Sequence, residues 1–192
     1  MSRLVSKVAG VDEVGRGALF GPVVAAAVII PTTEATLTLT QIGVTDSKKL
    51  SPAKRQYLSL QIKDQAYCSV GMASVHEIDR INILQASLLA MRRAALRLSP
   101  LPDRCLIDGN QTVPGLGIPQ KAVIKGDQSE LAIAAASIVA KVWRDELIIR
   151  LSRRYPGYDL AANKGYGSAR HLAGIASLGI CAQHRQSFRS CQ

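Results

Sequence analysis

The chain has 192 residues, of which 47% are hydrophobic; this excludes an intrinsically disordered chain and is enough for one domain with a substantial core. Aromatic residues account for only 4%, so the core must consist mainly of Val, Ile, Leu and Ala, which favours an α/β fold over an aromatic-rich sandwich. The formal net charge of +10 favours a polyanionic partner, because basic side chains release counterions from phosphates, with solubility through charge alone as the alternative.

The sequence predicts a single cytoplasmic domain without a membrane segment. The N-terminus lacks a signal-peptide pattern, and the apolar run at residues 23–30 is too short to span a bilayer. No C-x-x-C pair is formed by the cysteines, which fits free thiols in a reducing compartment; they are Cys68, Cys105, Cys181 and Cys191. We expect residues 1–192 to form one domain that acts as a monomer, with residues 155–192 as a helical C-terminal extension.

Strands alternate with helices in the first half of the chain. Residues 5–12 and 22–30 are short apolar runs typical of strands, and the turn from Gly15 to Gly21 is short enough to predict a hairpin. Ser51 followed by Pro52 predicts the start of a helix, which should extend to about residue 64.

A third strand and a long helix follow. Residues 67–75 have strand character, and Ser74 with Glu77 three residues later forms a capping-box pattern. From Ile78 to Leu98 apolar residues recur every three or four positions, which predicts an amphipathic helix that ends before Pro100.

The second half of the chain contains two more predicted strands, at residues 104–108 and 122–124. A long helix is expected from residue 129 to about residue 154, where the sequence Tyr-Pro-Gly interrupts it. A shorter helix is expected at residues 168–178, ending near Gly179. The pattern predicts an α/β fold.

Two adjacent carboxylates, Asp12 and Glu13, end the first apolar run and precede a glycine-flanked arginine. Carboxylates bind hard divalent cations. Gly15 and Gly17 would let a polynucleotide backbone approach closely, and Arg16 offers a planar fork for phosphate. Metal and phosphate chemistry within a few residues indicates phosphodiester hydrolysis. Because neighbours on a strand point to opposite faces, both acids can share one site only where the strand ends or bends.

Two further acids lie where ligands of α/β sheets usually bind, outside the carboxyl ends of the strands. Asp108 closes a later predicted strand, and Asp127 precedes the long helix. Each has an alternative explanation. Asp108 with Gly109 is also a common turn, and Asp127 with Glu130 also has capping-box form.

With these residues in view, the sequence resembles the ribonuclease HII family. That family has Gly-x-Asp-Glu-x-Gly-Arg-Gly followed by Gly-Pro, which residues 10–17 and 21–22 match. Its further motifs are matched, in the same order, by residues 46–51, 77–79, 82–83, 108–109, 126–127, 134–145, 164–167 and 184–188. The sequence departs from the pattern at Ala18, where many members have proline, and at Asn163, where histidine is common.

The resemblance implies a ribonuclease H-like fold, in which helices flank a mixed central sheet and a helical extension follows. It also implies endonucleolytic cleavage of RNA in RNA–DNA hybrids, including cleavage on the 5′ side of single ribonucleotides embedded in duplex DNA. The products would carry 3′-hydroxyl and 5′-phosphate ends, and the expected role is the removal of misincorporated ribonucleotides.

The resemblance also implies roles for individual residues. Two Mg²⁺ or Mn²⁺ ions would be held by four carboxylates, those of Asp12, Glu13, Asp108 and Asp127, with Asp12 bridging the ions. The 2′-hydroxyl, the group that separates RNA from DNA, would be surrounded by the backbone of Gly15, Arg16 and Gly17 and by the ring of Tyr166. For Tyr166, ordinary loop packing is the alternative.

Basic residues are candidates for contacts to the phosphate backbone, with a solvated basic face as the alternative; they are Lys48, Lys49, Lys141 and Lys164. Asp145 is interpreted as part of an ion pair on a helix face, and His171 and His184 as surface or packing residues. Three other functions compete: a sister nuclease that cuts only longer RNA stretches, a non-catalytic hybrid-binding protein, and a phosphatase for small substrates. The net charge and the absence of a P-loop-like sequence disfavour the phosphatase.

Overall fold

The computed structural model describes residues 7–192. In chain order its elements are β1 (Val8–Val14), β2 (Val23–Ile29), α1 (Thr33–Gln41), α2 (Pro52–Gln65), β3 (Tyr67–Ala73), α3 (Val75–Arg97), β4 (Arg104–Asp108), β5 (Gln120–Val123), α4 (Gly126–Ser129), α5 (Leu131–Ser152), α6 (Leu160–Asn163) and α7 (Ala169–Leu178). Short 3₁₀ turns lie at Ser47–Lys49 and Arg189–Cys191. Within the described residues, no helix is both long and apolar enough to cross a membrane.

The strands form one mixed sheet in the order β3-β2-β1-β4-β5. Strands β1, β2 and β3 pair antiparallel, which confirms the predicted hairpin, whereas β4 pairs parallel with both β1 and β5. Because β1 and β4 are adjacent and parallel, their carboxyl ends lie at the same edge of the sheet. The mixed central sheet flanked by helices confirms the α/β class that the sequence pattern predicted and the fold that the family resemblance implied.

Helices cover both faces of the sheet, and β2 is therefore buried at every position. Ala25 and Ala27 pack in a cluster with residues of α3, while Ala26 and Val28 pack with residues of α2 and α5. Alternate residues of a strand point to opposite faces, so a continuous run of Val, Ala and Ile is what a strand between two helical layers requires.

Helix α5 packs directly on β1, the strand that carries the first two acids. A Cβ atom at Gly10 would lie 2.1 Å from the backbone carbonyl carbon of Ala132, so only glycine allows this approach. Small residues continue along the same helix at Ala134, Ala135 and Ala136, all buried. This close packing brings the next turns of α5 over the end of β1.

The C-terminal extension folds back onto the glycine-rich segment after β1. Phe20 and His184 form an isolated antiparallel bridge. The Leu19 N–H donates to the carbonyl of Gly165 at 2.8 Å, and the Arg185 N–H donates to the carbonyl of Leu19 at 2.9 Å. Residues 155–192 are only partly helical, because α6 is a single turn and α7 has ten residues.

Several element boundaries differ from the sequence predictions. Of the first predicted strand, residues 5 and 6 lie outside the described residues, and β1 extends past Asp12 because Glu13 and Val14 still pair with β2. The long helix expected from residue 129 begins at Leu131, after the separate turn α4. Helix α3 is broken at Asn82, whose φ of 65° is not helical. Helix α1 was not predicted at all.

Candidate active site

The four predicted acids lie at one edge of the sheet. Asp12 and Glu13 are near the end of β1, Asp108 is the last residue of β4, and Asp127 is in the short helix α4 that follows β5. A cavity of about 230 Å³ opens there, lined by three of these acids together with side chains from α2, α5 and the C-terminal extension. The remaining lining residues are Val14, Ser47, Lys48, Arg55, Ser137, Lys141 and Tyr166.

Asp12 is the most deeply buried of the acids that line the cavity, with 5% of its surface exposed. Burial raises the pKa of its carboxyl well above the usual range, and the neighbouring carboxylates of Glu13 and Asp108 raise it further. Its Oδ1 accepts the backbone N–H of Glu13 at 2.7 Å, but within residues 7–192 it forms no ion pair. A buried acid in this environment is stabilised as an anion by a bound cation.

Glu13 lies beside Asp12 in the strand and still reaches the same cavity, because β1 ends one residue later and the longer side chain extends around its edge. Its Oε1 accepts from the Arg16 guanidinium at 3.2 Å. Burial raises the pKa of Glu13, and the pairing with Arg16 partly offsets this. Glu13 also lines an adjoining groove with Arg16, Asp108 and Asn110.

Asp108 is held by the turn that carries Asp127. Its Oδ1 accepts the N–H of Gly126 at 2.8 Å, and a Cβ at Gly126 would lie 2.4 Å from Cδ1 of Ile133. Burial and the nearby Asp127 raise the pKa of Asp108. Asp127 is not the N-cap residue that its spacing with Glu130 allowed. Helix α4 begins one residue earlier, and its N-cap residue, Lys125, forms no capping hydrogen bond through its side chain. Instead, Asp127 faces the Lys48 ammonium at 3.6 Å.

The donor set suits a hard divalent ion, since all four side chains offer carboxylate oxygens. Among residues 7–192 no three Asp, Glu, His or Cys side chains stand close enough to form a preassembled metal site. Glu13 is turned towards Arg16 and Asp127 towards Lys48. The residues present therefore fit a divalent-metal centre by their donor chemistry, and Glu13 and Asp127 would have to turn away from these basic partners to hold an ion.

The glycine-rich segment after β1 is shaped by a buried arginine from α5. Gly15 has a φ of +89°, and a Cβ there would lie 2.1 Å from Nε of Arg144. The fully buried Arg144 guanidinium donates to the carbonyls of Pro22 and Phe20 at 3.0 Å and to that of Lys164 at 2.9 Å. One side chain thus joins the glycine-rich segment to the segment that contains Tyr166.

A second buried arginine supports the same segment. Arg185 donates to the carbonyl of Gly21 at 3.0 Å and to that of Arg16 at 2.8 Å. Burial and the nearby Arg144 lower the pKa of Arg185 to about 9. Neither arginine was predicted from the sequence. For Arg144 a signal existed, because Ala140, Arg144 and Ile148 share one buried stripe of α5 at a spacing of four residues.

The structure brings some of the predicted substrate-binding residues to the cavity and leaves others outside it. Lys48, Lys141 and Tyr166 line it, and Lys141 lies 5.7 Å above the Tyr166 ring while pairing with Asp145 at 2.9 Å. That pair confirms the ion pair predicted for Asp145. Gly15 is buried against Arg144, whereas Arg16 and Gly17 are exposed at the surface.

Two of the predicted lysines do not line the cavity. Lys49 is exposed, and the ammonium of Lys164 bonds to the carbonyl of Ala161. Conversely, Arg55 was not predicted, yet it lines the cavity and donates to the carbonyl of Ser47 at 2.9 Å. Arg55 lies in the first turns of α2, directly after the basic segment of residues 46–51, and this position was the available signal.

The fold is shared with solved structures of ribonucleases. The ribonuclease HII of Archaeoglobus fulgidus, solved in a complex with PCNA, superimposes with a TM-score of 0.80 at 28% identity, covering 95% of both chains. Ribonuclease H2 from Pyrococcus horikoshii gives 0.79 at 28% identity, covering 96% of this chain and 95% of the other. The protein is therefore an enzyme of the ribonuclease H fold.

Sequence comparison defines the family within that fold. The sequence model of the family described as Ribonuclease HII matches residues 9–191. The ribonuclease HII of Acaryochloris marina is 64% identical, covering 97% of this chain and 94% of that protein, and the one from Trichodesmium erythraeum is 61% identical, covering 96% and 87%. The chain belongs to the ribonuclease HII family, whose members are metal-dependent endonucleases acting on RNA–DNA hybrids.

Proposed function

We propose that this protein cleaves DNA duplexes on the 5′ side of a single embedded ribonucleotide, as well as the RNA strand of longer hybrids, through a two-metal site. The observation that carries the proposal is the buried carboxylate of Asp12 between two other acids at the shared edge of β1 and β4, where no basic side chain of residues 7–192 pairs with it. Such an arrangement is stable as an anion only with cations.

Asp12, Glu13, Asp108 and Asp127 are the proposed catalytic residues and would hold the divalent ions through their carboxylate oxygens. When bound, two Mg²⁺ or Mn²⁺ ions would activate the attacking water and stabilise charge on the leaving 3′-oxygen. The Bst ribonuclease HIII shares the fold, with a TM-score of 0.79 and 20% sequence identity to this chain. That protein was solved in complex with Mn²⁺. The Arg16 and Lys48 side chains, which neutralise Glu13 and Asp127, would be released towards phosphate oxygens.

Recognition of the 2′-hydroxyl is assigned to the backbone of Gly15, Arg16 and Gly17 and to Tyr166. Arg144 ties these two segments together through the carbonyls of Phe20 and Lys164, which supports their acting as one binding surface. Lys48 and Lys141, inside the cavity, are proposed to contact phosphates next to the cleaved bond. Lys49 and Lys164 lie outside the cavity lining and are proposed to contact the flanking backbone.

We further propose that the enzyme acts in the cytoplasm as a monomer, in the excision of misincorporated ribonucleotides. Its partners would be RNA–DNA hybrids and ribonucleotide-containing DNA, with no membrane involved. The alternative of a nuclease restricted to longer RNA stretches is disfavoured by the combination of the glycine-rich segment with Tyr166. A non-catalytic binding protein is disfavoured because buried acids weaken anion binding unless cations neutralise them.

The test is cleavage of three matched duplexes that share one base sequence: all-DNA, DNA with one ribonucleotide, and an RNA–DNA hybrid. With Mn²⁺ or Mg²⁺ we expect a single nick 5′ of the ribonucleotide, cleavage of the hybrid at several positions, and no cleavage of all-DNA. The nicked strand should be extendable by a polymerase, which requires a free 3′-hydroxyl. Cleavage of the hybrid without any nick at the single ribonucleotide would replace the proposal with the restricted nuclease.

A further inference from the structure

Two histidines that the proposed reaction does not use are buried in the C-terminal extension. His171 lies in the first turn of α7 and is 0% exposed, and His184 lies beyond that helix and is 1% exposed. Their Nε2 atoms are 3.1 Å apart. The Tyr158 ring packs edge-on against both, with its centroid 4.8 Å from His184 and 6.1 Å from His171. Buried imidazoles in an apolar cluster require defined hydrogen-bond partners.

The backbone determines which nitrogen of each ring carries the proton. The N–H of Cys181 can only donate, and it points to His184 Nδ1 at 3.0 Å, so Nδ1 is an acceptor. Burial and the neighbouring His171 lower the pKa of His184 to about 4, so the ring is neutral at pH 7. A neutral ring with an acceptor at Nδ1 carries its proton on Nε2 and donates it to Nε2 of His171.

The hydrogen bonds also determine the tautomer of His171. Its Nε2 accepts from His184, so its proton is on Nδ1, which donates to the carbonyl oxygen of Tyr166 at 2.9 Å. A chain of three hydrogen bonds, which we call the histidine relay, therefore runs in one direction from the Cys181 N–H through His184 and His171 to Tyr166. The two rings are opposite tautomers.

The relay ends at a carbonyl next to the proposed ribose-binding ring. Tyr166 O also accepts the N–H of Ser168 at 2.8 Å, and the Ser168 hydroxyl caps α7 by accepting the N–H of His171 at 3.2 Å. The other end of the relay is anchored beside the glycine-rich segment. The Gly21 N–H donates to the carbonyl of Gln183 at 2.8 Å, and Phe20 bridges to His184.

We propose that His171 and His184 are positioning residues that hold Tyr166 in register with the Gly15–Gly17 backbone and thereby set the preference for single ribonucleotides. This inference rests on the proposed function. A duplex with one ribonucleotide offers one 2′-hydroxyl, so productive cleavage depends on a single aligned contact. A long hybrid offers a 2′-hydroxyl at every phosphate, so a displaced tyrosine has a smaller effect on its cleavage.

The variants can separate positioning from packing. His171→Phe keeps an aromatic ring and removes the donor to Tyr166, whereas His171→Asn places an amide N–H near the position of Nδ1 and restores it. Tyr158→Phe is the matched control, because it removes one hydrogen bond of the same cluster, from the Tyr158 hydroxyl to the carbonyl of Gly179 at 2.9 Å, and leaves the relay intact.

We expect His171→Phe to lower kcat on the single-ribonucleotide duplex by about tenfold to a hundredfold, with KM nearly unchanged and a smaller loss on the long hybrid. His171→Asn should recover most of that loss, and Tyr158→Phe should cleave at the wild-type rate. Equal cleavage by His171→Phe and Tyr158→Phe would overturn the positioning role, as would a loss in His171→Phe that His171→Asn does not recover.

An independent measurement on the wild-type protein does not depend on any variant folding. Two-dimensional NMR of the ring nitrogens reports tautomers directly, and we expect the Nε2–H form for His184 and the Nδ1–H form for His171 at pH 7. A common tautomer for both rings in an active enzyme would overturn the relay alone. Wild-type protein that nicks no ribonucleotide-containing duplex would overturn the proposed function and, with it, the specificity role.

Discussion

At the scale of the residue, glycines and buried arginines are complementary in this site. Gly15 and Arg144 are far apart in sequence, yet the arginine side chain occupies the space where a Cβ of residue 15 would stand. The sequence indicated that Gly15 gives access to a polynucleotide, but it could not indicate that the glycine makes room for Arg144. Contacts between distant segments are not encoded in local spacing.

The substitution Gly15→Ala tests this packing, with Gly43→Ala as the control. Gly43 has a φ of +88°, close to the +89° of Gly15, but open space surrounds its Cβ position. Gly43→Ala should therefore cost only backbone strain, about 1 kcal/mol in the free energy of unfolding. Gly15→Ala should cost about 3 kcal/mol and reduce cleavage, because Arg144 must also move. Urea unfolding measures both, and equal costs would show that Arg144 does not constrain this position.

At the scale of the element, local signals predicted some helix starts and missed others. The capping box of Ser74 and Glu77 is present at the start of α3, as its spacing predicted. The break at Asn82 was not predicted. It arises because the Asn82 side chain caps the second part of α3 by accepting the N–H groups of Leu84 and Gln85. Helix α1 was missed because its β-branched threonines are poor helix formers, and its buried Leu39 supplies tertiary packing instead.

The start of α3 also predicts a pH dependence of stability. Two hydrogen bonds from Arg93, with those from Ser74, lower the pKa of Glu77 to about 2. A lowered carboxyl pKa means that the folded state favours the anion, so this stabilisation is present above pH ~4.5 and is lost as the pH falls towards about 2. Glu77→Gln should cost about 1 kcal/mol at pH 7 and much less at pH 2.5.

Thermal unfolding of wild type and Glu77→Gln at the two pH values provides the check. Glu34→Gln is a suitable control, since Glu34 is an exposed acid in the first turn of α1 and forms no ion pair among the described residues. A Glu77→Gln penalty that is the same at both pH values would contradict the assigned ionic role.

At the scale of the whole molecule, the fold class and the convergence of the acids followed from the sequence, whereas the attachment of the C-terminal extension did not. Predicted strands that close on Asp12 and Asp108 were expected to bring these acids to one edge of the sheet, and the parallel pairing of β1 with β4 brings them there. The bridge between Phe20 and His184 and the contacts of Arg185 with the glycine-rich segment join distant parts of the chain, which no local pattern reveals. The spacing that marks Arg144 as buried does not show which carbonyls it contacts.

The net charge of +10 predicts a strong salt dependence of duplex binding. If Arg16 and the four candidate lysines each contact a phosphate, raising the salt from 50 to 200 mM weakens binding about 500-fold. Lys48→Ala should reduce the slope of log affinity against log salt by about one, while Lys63→Ala, near the far end of α2, should leave it unchanged. Fluorescence anisotropy in an Asp108→Asn background measures this, and a slope near zero would exclude phosphate-driven binding.

We propose that the carboxylates at the ends of β1 and β4 bind the divalent ions on which phosphodiester cleavage depends. The most direct measurement compares wild type and Asp108→Asn for nicking of a single-ribonucleotide duplex and for the thermal shift caused by Mn²⁺. Wild type should nick only with the metal and unfold at a higher temperature in its presence, and Asp108→Asn should lose about a thousandfold in rate together with the shift. Nicking in chelator, or wild-type nicking by a folded Asp108→Asn, would contradict the account.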